Sequence, residues 1–291
     1  MHKLKNFILS LLNKNFKIIF SNYLLNFLLK KNLIFKLIKF FLPKDLNTLR
    51  YKFKVFNRSF LCLMDPNDLR AIRLYVNNSQ LNKFKLLVKL QEKFKFDYFY
   101  DFGGNYGEFS IVSADLFEKV HYFEPNPNCV FYLKKTLKES GQDNLVIYEK
   151  AIVKNFSENV TYLEVGDNSG SSSISDNPEN NAIKVDTINI SKIFNSFDLK
   201  KKIFIKMDIE GSENLVIEEF IGFFKNNFEF IFMFENNLSL ENIEKLRDFI
   251  KNNNLFIYFL KHYSDELEVS DQIKYKDTSG EYILSNISLK S

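Results

Sequence analysis

Apolar runs and helix-periodic segments alternate along most of the chain. Phe94 to Tyr100, Lys119 to Glu124, Asn144 to Glu149, Lys202 to Asp208, Glu229 to Phe234 and Leu255 to Leu260 are dense in Phe, Ile, Val and Tyr. Each is short enough for a buried strand. Between them apolar residues recur at helical spacing. Phe109, Val112, Ser113, Leu116 and Phe117 share one face, as do Leu215, Val216 and Phe220, and Ile243, Leu246 and Ile250. Asn126 and Ser239 stand at N-cap positions, Pro127 at a first helical position and Gly141 at a helix stop. Tyr282 to Ile287, after the turn at Ser279-Gly280, reads as a last strand. This alternation predicts an α/β fold, with a mostly parallel sheet and helices on both faces.

The chain ahead of the first core strand reads differently. Arg50 to Val55 and Ser59 to Met64 form a hairpin pattern around Asn57-Arg58. Asp65-Pro66-Asn67-Asp68 is a turn or a helix start. Ser79 is placed to cap a helix carrying Leu81, Phe84, Leu87, Val88 and Gln91. Residues 46–95 are therefore expected to cover the end of a domain spanning 96–291. Gly166 to Asn181 reads as a long polar loop, either functional or a surface excursion.

Charge sets the first 45 residues apart. Residues 1–44 hold nine lysines and no acid, so residues 1–45 carry +8 and the rest −4 of the net +4. Leu4, Phe7, Ile8, Leu11 and Leu12 share a helical face, and Leu33, Ile34, Leu37, Ile38 and Phe41 repeat it. No uncharged run here reaches the ~18–20 residues of a membrane span. Lysines throughout and the lack of a small-residue cleavage site argue against a signal peptide. The pattern fits basic amphipathic helices on an anionic membrane surface through residues 1–42. Packing on the chain's own domain, or on a second subunit in a homo-oligomer, is the alternative. Nothing resembles a base-reading element, so no nucleic-acid partner is expected. Cys62 and Cys129 lack metal-type spacing and read as reduced core thiols of a cytoplasmic protein. His2, His121 and His262 form no cluster, so no His-based zinc site is expected.

The candidate chemistry centres on Tyr100-Asp101-Phe102-Gly103-Gly104-Asn105-Tyr106-Gly107. Strand, glycine turn and helix is the layout in which N–H groups at a helix start face a ligand. Glycines there permit positive φ and close ligand approach. Glu124 ends the next strand 21 residues beyond Gly103, the spacing of a ribose-binding carboxylate in dinucleotide-type folds. A tight turn without a ligand is the plain alternative. A nicotinamide-dinucleotide fingerprint needs glycine where Asn105 stands, and here Asp101 precedes the turn. Both departures favour a ligand with a positively charged amino-acid end, such as S-adenosylmethionine. No Gly-Lys-Ser/Thr follows the turn, which excludes a P-loop. Ligands of such sheets bind beyond the carboxyl ends of the strands. Asp101, Glu124, Asp208, Glu210 and Glu235 are all expected on that rim.

These residues resemble a known family. Asp101-Phe102-Gly103-Gly104-Asn105-Tyr106-Gly107 resembles the Asp-x-Gly-x-Asn-x-Gly motif of FkbM-type S-adenosylmethionine-dependent methyltransferases. Phe123-Glu124-Pro125 is similar to that family's Phe-Glu-Pro segment. Ala151, Gly170-Ser171-Ser172-Ser173 and Val185-Asp186-Thr187-Ile188 fit weaker motifs. Lys206-Met207-Asp208-Ile209-Glu210-Gly211-Ser212-Glu213 resembles its Lys-x-Asp-x-Glu-Gly-x-Glu signature. Gly104 and Tyr106 depart from the more usual Ala and Ile or Val. The resemblance implies a class I methyltransferase, Rossmann-like, with seven strands of which the last is antiparallel. It implies O-methylation of a hydroxyl on a sugar, glycan or polyketide. It places Gly103, Asn105 and Gly107 in the cofactor turn, Asp101 near the methionyl ammonium, Glu124 on the ribose, and Lys150 or Ala151 at the adenine edge.

Methyl transfer to an alcohol gains from alignment and from a base that takes the hydroxyl proton. Asp208 and Glu210 are the candidate catalytic residues; capping of the helix at Gly211 is their structural alternative. Glu235 would join them if Mg²⁺ were bound, and His262 is another candidate base. The expectation is an O-methyltransferase acting on a carbohydrate or glycolipid hydroxyl, cytoplasmic and peripheral on the inner face of the plasma membrane. Two other classes stay open. One is a methyltransferase of a soluble polyketide or nucleotide-sugar type molecule, with a dimerising N-terminus. The other is a non-catalytic domain that binds the cofactor or a partner.

Overall fold

A computed structural model of the chain describes residues 39, 42, 45–154, 162–164, 166, 168–175, 182–210, 212–226, 228–262, 264–275 and 279–289. The expected amphipathic helices of residues 1–42 lie outside these, Lys39 and Leu42 apart. Strands β1 (Leu49–Val55) and β2 (Arg58–Met64) form the expected hairpin, in register from Leu49↔Met64 to Val55↔Arg58. β1 alternates buried and exposed at every residue, as a strand with one covered face must. Helix α1 (Leu69–Asn77) starts at Asp68, whose carboxylate accepts the Arg70 N–H. Helix α2 (Leu81–Phe94) starts one residue later than expected, at Gln80 rather than Ser79, with no side-chain cap. It also retains Phe94, so the first core strand begins later, as β3 (Tyr98–Phe102).

Strand and helix then alternate. Helix α3 (Glu108–Ala114) follows β3 and stops before Leu116 and Phe117. Strand β4 (Lys119–Phe123) leads to helix α4 (Pro127–Ser140), with Asn126 as N-cap, Pro127 first and left-handed Gly141 closing it. Strand β5 (Leu145–Tyr148) follows. Strands β6 (Ala151–Val153), β7 (Tyr162–Glu164), β8 (Ser173–Ser175), β9 (Ala182–Lys184) and β10 (Thr187–Asn189) are three residues each. They make two small sheets, β6 with β10 and β8-β7-β9, so part of the expected polar loop is strand. Helix α5 (Ile190–Asn195), β11 (Ile203–Met207), α6 (Glu213–Phe223), β12 (Phe230–Glu235), α7 (Leu240–Asn252), β13 (Phe256–Lys261), β14 (Glu268–Val269) and β15 (Gly280–Ser285) complete the domain.

The main sheet runs β14-β13-β15-β12-β11-β3-β4-β5. From β12 to β5 neighbouring strands are parallel, and β15 enters antiparallel between β12 and β13. The expected seven strands are present, and the two-residue β14 adds an eighth at the edge. Strand alternation divides the core into two layers. On one face Phe99 and Phe204 pack under the hairpin, α2, α3 and α4. On the other, Phe102, Ile205 and Phe232 pack with α5, α6 and α7. A fully buried Phe contributes about 1.5–3 kcal/mol, so strands such as β12, buried at every position but its last, hold the sheet rigid beneath the site.

Candidate active site

The alternation that builds the core also decides where the acids point. In β3, Asp101 shares the face of Phe99, beneath α3, and is fully buried. Its Oδ2 accepts from the Ser110 hydroxyl at 2.7 Å. Register places Lys206 of β11 beside it on the same face. The ammonium lies 3.7 Å from Asp101 Oδ1 and 3.5 Å from Asp208 Oδ2, over the Phe109 ring. Burial pushes the Asp101 carboxyl up, against the pull of Lys206 and Ser110. Burial works against the Lys206 charge, yet Asp208 and Asp101 hold it above the ordinary lysine value. Asp101 therefore supports the site from below and does not line the cleft.

The turn after β3 packs tightly. Gly103 has φ +75 and faces the Asp208 carbonyl, which a Cβ would strike. Gly104 lies over the Tyr122 ring, whose hydroxyl donates to the Asn105 carbonyl at 2.5 Å. Gly107 starts α3 with Leu133 close behind it. These glycines make room for neighbouring strands and side chains, and Gly103 also lines the cleft. The Gly104 departure has the same cause: any larger residue meets Tyr122.

Beyond the strand ends opens a cleft of about 600 Å³, counting its mouth. Gly103, Asn105, Glu124, Ala151, Asp208 and Glu210 all line it, together with Lys150. Six of the eight expected site residues thus meet; Asp101 and Gly107 stand behind. Glu124 accepts the Asn105 and Asn126 N–H groups, at 2.8 and 2.9 Å. Burial outweighs those bonds and raises its carboxyl to about 7. Asp208 follows β11. Burial pushes it up, but Lys206, Lys83 and Arg70 together hold it below the usual carboxylate range. Its Oδ1 is buried without a hydrogen-bond partner among the described residues. Glu210 takes a left-handed backbone, φ 49, and Arg70 alone opposes its neighbouring acids. Burial, then Asp208, Glu235 and Glu213, push it up to about 8.

Other expectations are corrected. The acid holding the turn after β11 is Glu213, which accepts the Ile209 N–H at 3.0 Å; Gly211 lies outside the described residues. Glu235 ends β12 but does not line the cleft, and burial raises it to about 7. Among the described residues no three His, Cys, Asp or Glu side chains could hold a metal ion, so the Asp208, Glu210 and Glu235 grouping for Mg²⁺ does not assemble. His262 follows β13 near the sheet edge, away from the cleft.

Arg70 also lines the cleft and was not expected there. It donates to Asn105 Oδ1 at 3.0 Å and forms an ion pair with Glu108. Asp68 accepts the Ser169 N–H at 3.1 Å and the Tyr106 hydroxyl at 2.7 Å, while the Ser169 hydroxyl donates to Asn105 at 3.1 Å. These bonds hold the 3-10 turn Ser169–Ser171 over the cleft. The one local signal was the turn or helix start at Asp65-Pro66-Asn67-Asp68. Their partners lie 35 to 101 residues away, beyond any periodicity.

The cleft fits S-adenosylmethionine. It offers a strand-end carboxylate at ribose spacing and the orphan Asp208 oxygen for a donor. A parallel sheet with its last strand inserted antiparallel, and acids ringing the glycine turn, defines a class I methyltransferase. The methyltransferase FkbM domain model matches residues 101–258, more than half of the 291. The chain belongs to that family and is an S-adenosylmethionine-dependent methyltransferase. No curated protein matches it by sequence. Among solved structures, M. jannaschii TYW2 in complex with AdoMet is similar at 12% identity and TM-score 0.41, over 81% of this chain and 84% of that one. A precorrin-6y C5,15-methyltransferase from Geobacter metallireducens aligns at 12% identity and TM-score 0.37, over 70% and 88%. An rRNA methylase from Streptococcus thermophilus aligns at 9% identity and TM-score 0.37, over 71% and 95%. The class is drawn from the strand order and the family match, not from these distant likenesses. Among the described residues no helix is long and apolar enough to cross a membrane.

Proposed function

We propose that the chain moves a methyl group from S-adenosylmethionine to a hydroxyl of a sugar, glycan or glycolipid, at the inner face of an anionic membrane. Glu210 carries the oxygen assignment. Its carboxyl, raised to about 8 beside the cleft, suits removal of a hydroxyl proton near neutral pH. The bound cofactor supplies the activated methyl. Glu124 would accept its ribose hydroxyls, and Ala151 and Lys150 would border the adenine edge. Asp208, kept ionised by Lys206, offers a fixed negative charge near the cationic end. Glu210 takes the acceptor proton onto its carboxylate, and the walls hold the acceptor oxygen in line. Calorimetric titration should show saturable binding of S-adenosylmethionine, and no heat at millimolar ligand ends the reading. Methyl-labelled product formed on simple glycosides should survive mild alkali as an ether. Label released by alkali would indicate an ester and reject hydroxyl transfer.

The membrane assignment comes from the nine lysines and apolar faces of residues 1–44. The full chain should sediment with anionic vesicles, and a chain lacking residues 1–42 should stay in the supernatant. Equal sedimentation of both would reject the surface-helix reading.

A further inference from the structure

We infer that Arg70 is the anion-binding pole of the cleft and receives the α-carboxylate of the cofactor's amino-acid end, an inference that rests on the cofactor reading above. Arg70 lies on α1, outside the residues 101–258 that match the family. It reaches the cleft from the segment that sequence reading took as a cover.

Charge around the cleft is unevenly placed. Its charged lining comprises Glu124, Asp208 and Glu210 on one side of the ledger, Arg70 and Lys150 on the other. Lys150 belongs with Ala151 at the start of β6. Arg70 instead bonds the side chain of Asn105, in the glycine turn itself. An amino-acid end brings an ammonium and a carboxylate together. Asp208 can serve the ammonium; a carboxylate entering beside it, in a cleft also lined by Glu124 and Glu210, would be repelled unless a cation met it. On the glycine-turn side Arg70 is that cation among the described lining residues.

The guanidinium is built for this role. It has five N–H donors in a planar fork that matches a carboxylate. Two side-chain hydrogen bonds, to Asn105 and Glu108, are its only ones among the described residues, so donors remain. Glu108 is 1% exposed and Arg70 16%, so the ion pair fixes the fork from behind. Glu108 alone could make Arg70 a structural cation, but a structural pair needs no place in the cleft wall. Gly170 completes the setting. A Cβ there would stand 2.7 Å from Arg70 Cδ, so the Ser169–Ser171 turn lies directly on the arginine stem. With the turn on its stem and Glu108 behind it, the guanidinium is only 16% exposed, so a carboxylate would meet the charge in a partly desolvated place.

Ligands differing only at the carboxylate test this. S-adenosylmethionine and its decarboxylated form, which keeps the ammonium, are titrated calorimetrically into wild type, Arg70→Gln and Arg70→Lys. Wild type should bind the decarboxylated form about 10–100-fold more weakly, the effect of losing a charged hydrogen-bond pair. In Arg70→Gln the two ligands should bind alike, with affinity for the decarboxylated form close to that of wild type. Arg70→Lys, which keeps the charge but not the fork, should retain part of the preference. Equal wild-type affinity for both ligands overturns the inference without any variant, as does a preference that persists in Arg70→Gln. Wild type binding neither ligand overturns the cofactor reading itself, a separate result. If Arg70→Gln fails to fold, the wild-type and Arg70→Lys titrations still decide.

Discussion

Replacing Glu210 with Gln is expected to lower methyl transfer by about 10²–10⁴-fold while leaving cofactor affinity within about threefold. Glutamine keeps the shape and the left-handed turn but cannot take a proton. The pH profile separates this from damage to the site. Glu210 is raised to about 8 by burial first, then by Asp208, Glu235 and Glu213, with Arg70 opposing. A base acts only when ionised, so at limiting substrate the wild-type rate should climb with pH and level off above about 8. The residual rate of Glu210→Gln should lack that climb. Initial rates with methyl-labelled cofactor between about pH 6 and 10 provide the measurement. A variant within tenfold of wild type, or one that keeps the climb, would make Asp208 the better candidate. Its depressed carboxyl would then give a rate already flat at neutral pH.

Lys206→Met should lower the unfolding free energy by about 3–5 kcal/mol near neutral pH, because it leaves buried carboxylate uncompensated. Asp101 is fully buried, and its hydroxyl partner Ser110 cannot neutralise it. Without Lys206 its folded-state carboxyl rises further above the unfolded value. Near neutrality the folded variant then holds a proton that the unfolded chain has released. Its stability is therefore fullest below the ordinary carboxylate range and is lost as pH rises through the raised folded value. Urea unfolding at pH 5 and pH 7 should show the gap to wild type narrowing at the lower pH. An equal gap at both would mean that packing over Phe109, not charge, is what Lys206 supplies.

The fold could be read far into the chain because its strands are buried on both faces and so appear as unbroken apolar runs. The hairpin, the Asn126, Gly141 and Ser239 caps and the sheet class all follow from local chemistry. What stayed hidden depends on contacts remote in sequence. Asp101 looked like a rim acid because it ends an apolar run. Only the β3–β11 register shows that it faces Lys206 under α3. Spacing points to the glycines as ligand glycines but cannot reveal Asp208, Tyr122 and Leu133 behind them, which also require glycine there. Arg70 sits on an ordinary amphipathic helix capped by Asp68, and nothing local distinguishes it from a surface charge.

The placement of β15 bears on how this protein is made. It is the last strand of the main sheet in chain order, yet it fills the gap between β12 and β13. Until residues 280–285 dock there, two Phe-rich strands each present a row of unpaired N–H and C=O groups. Slow docking of β15 would prolong the exposure of two sticky edges, making it the stage of folding at which chaperone capture matters most.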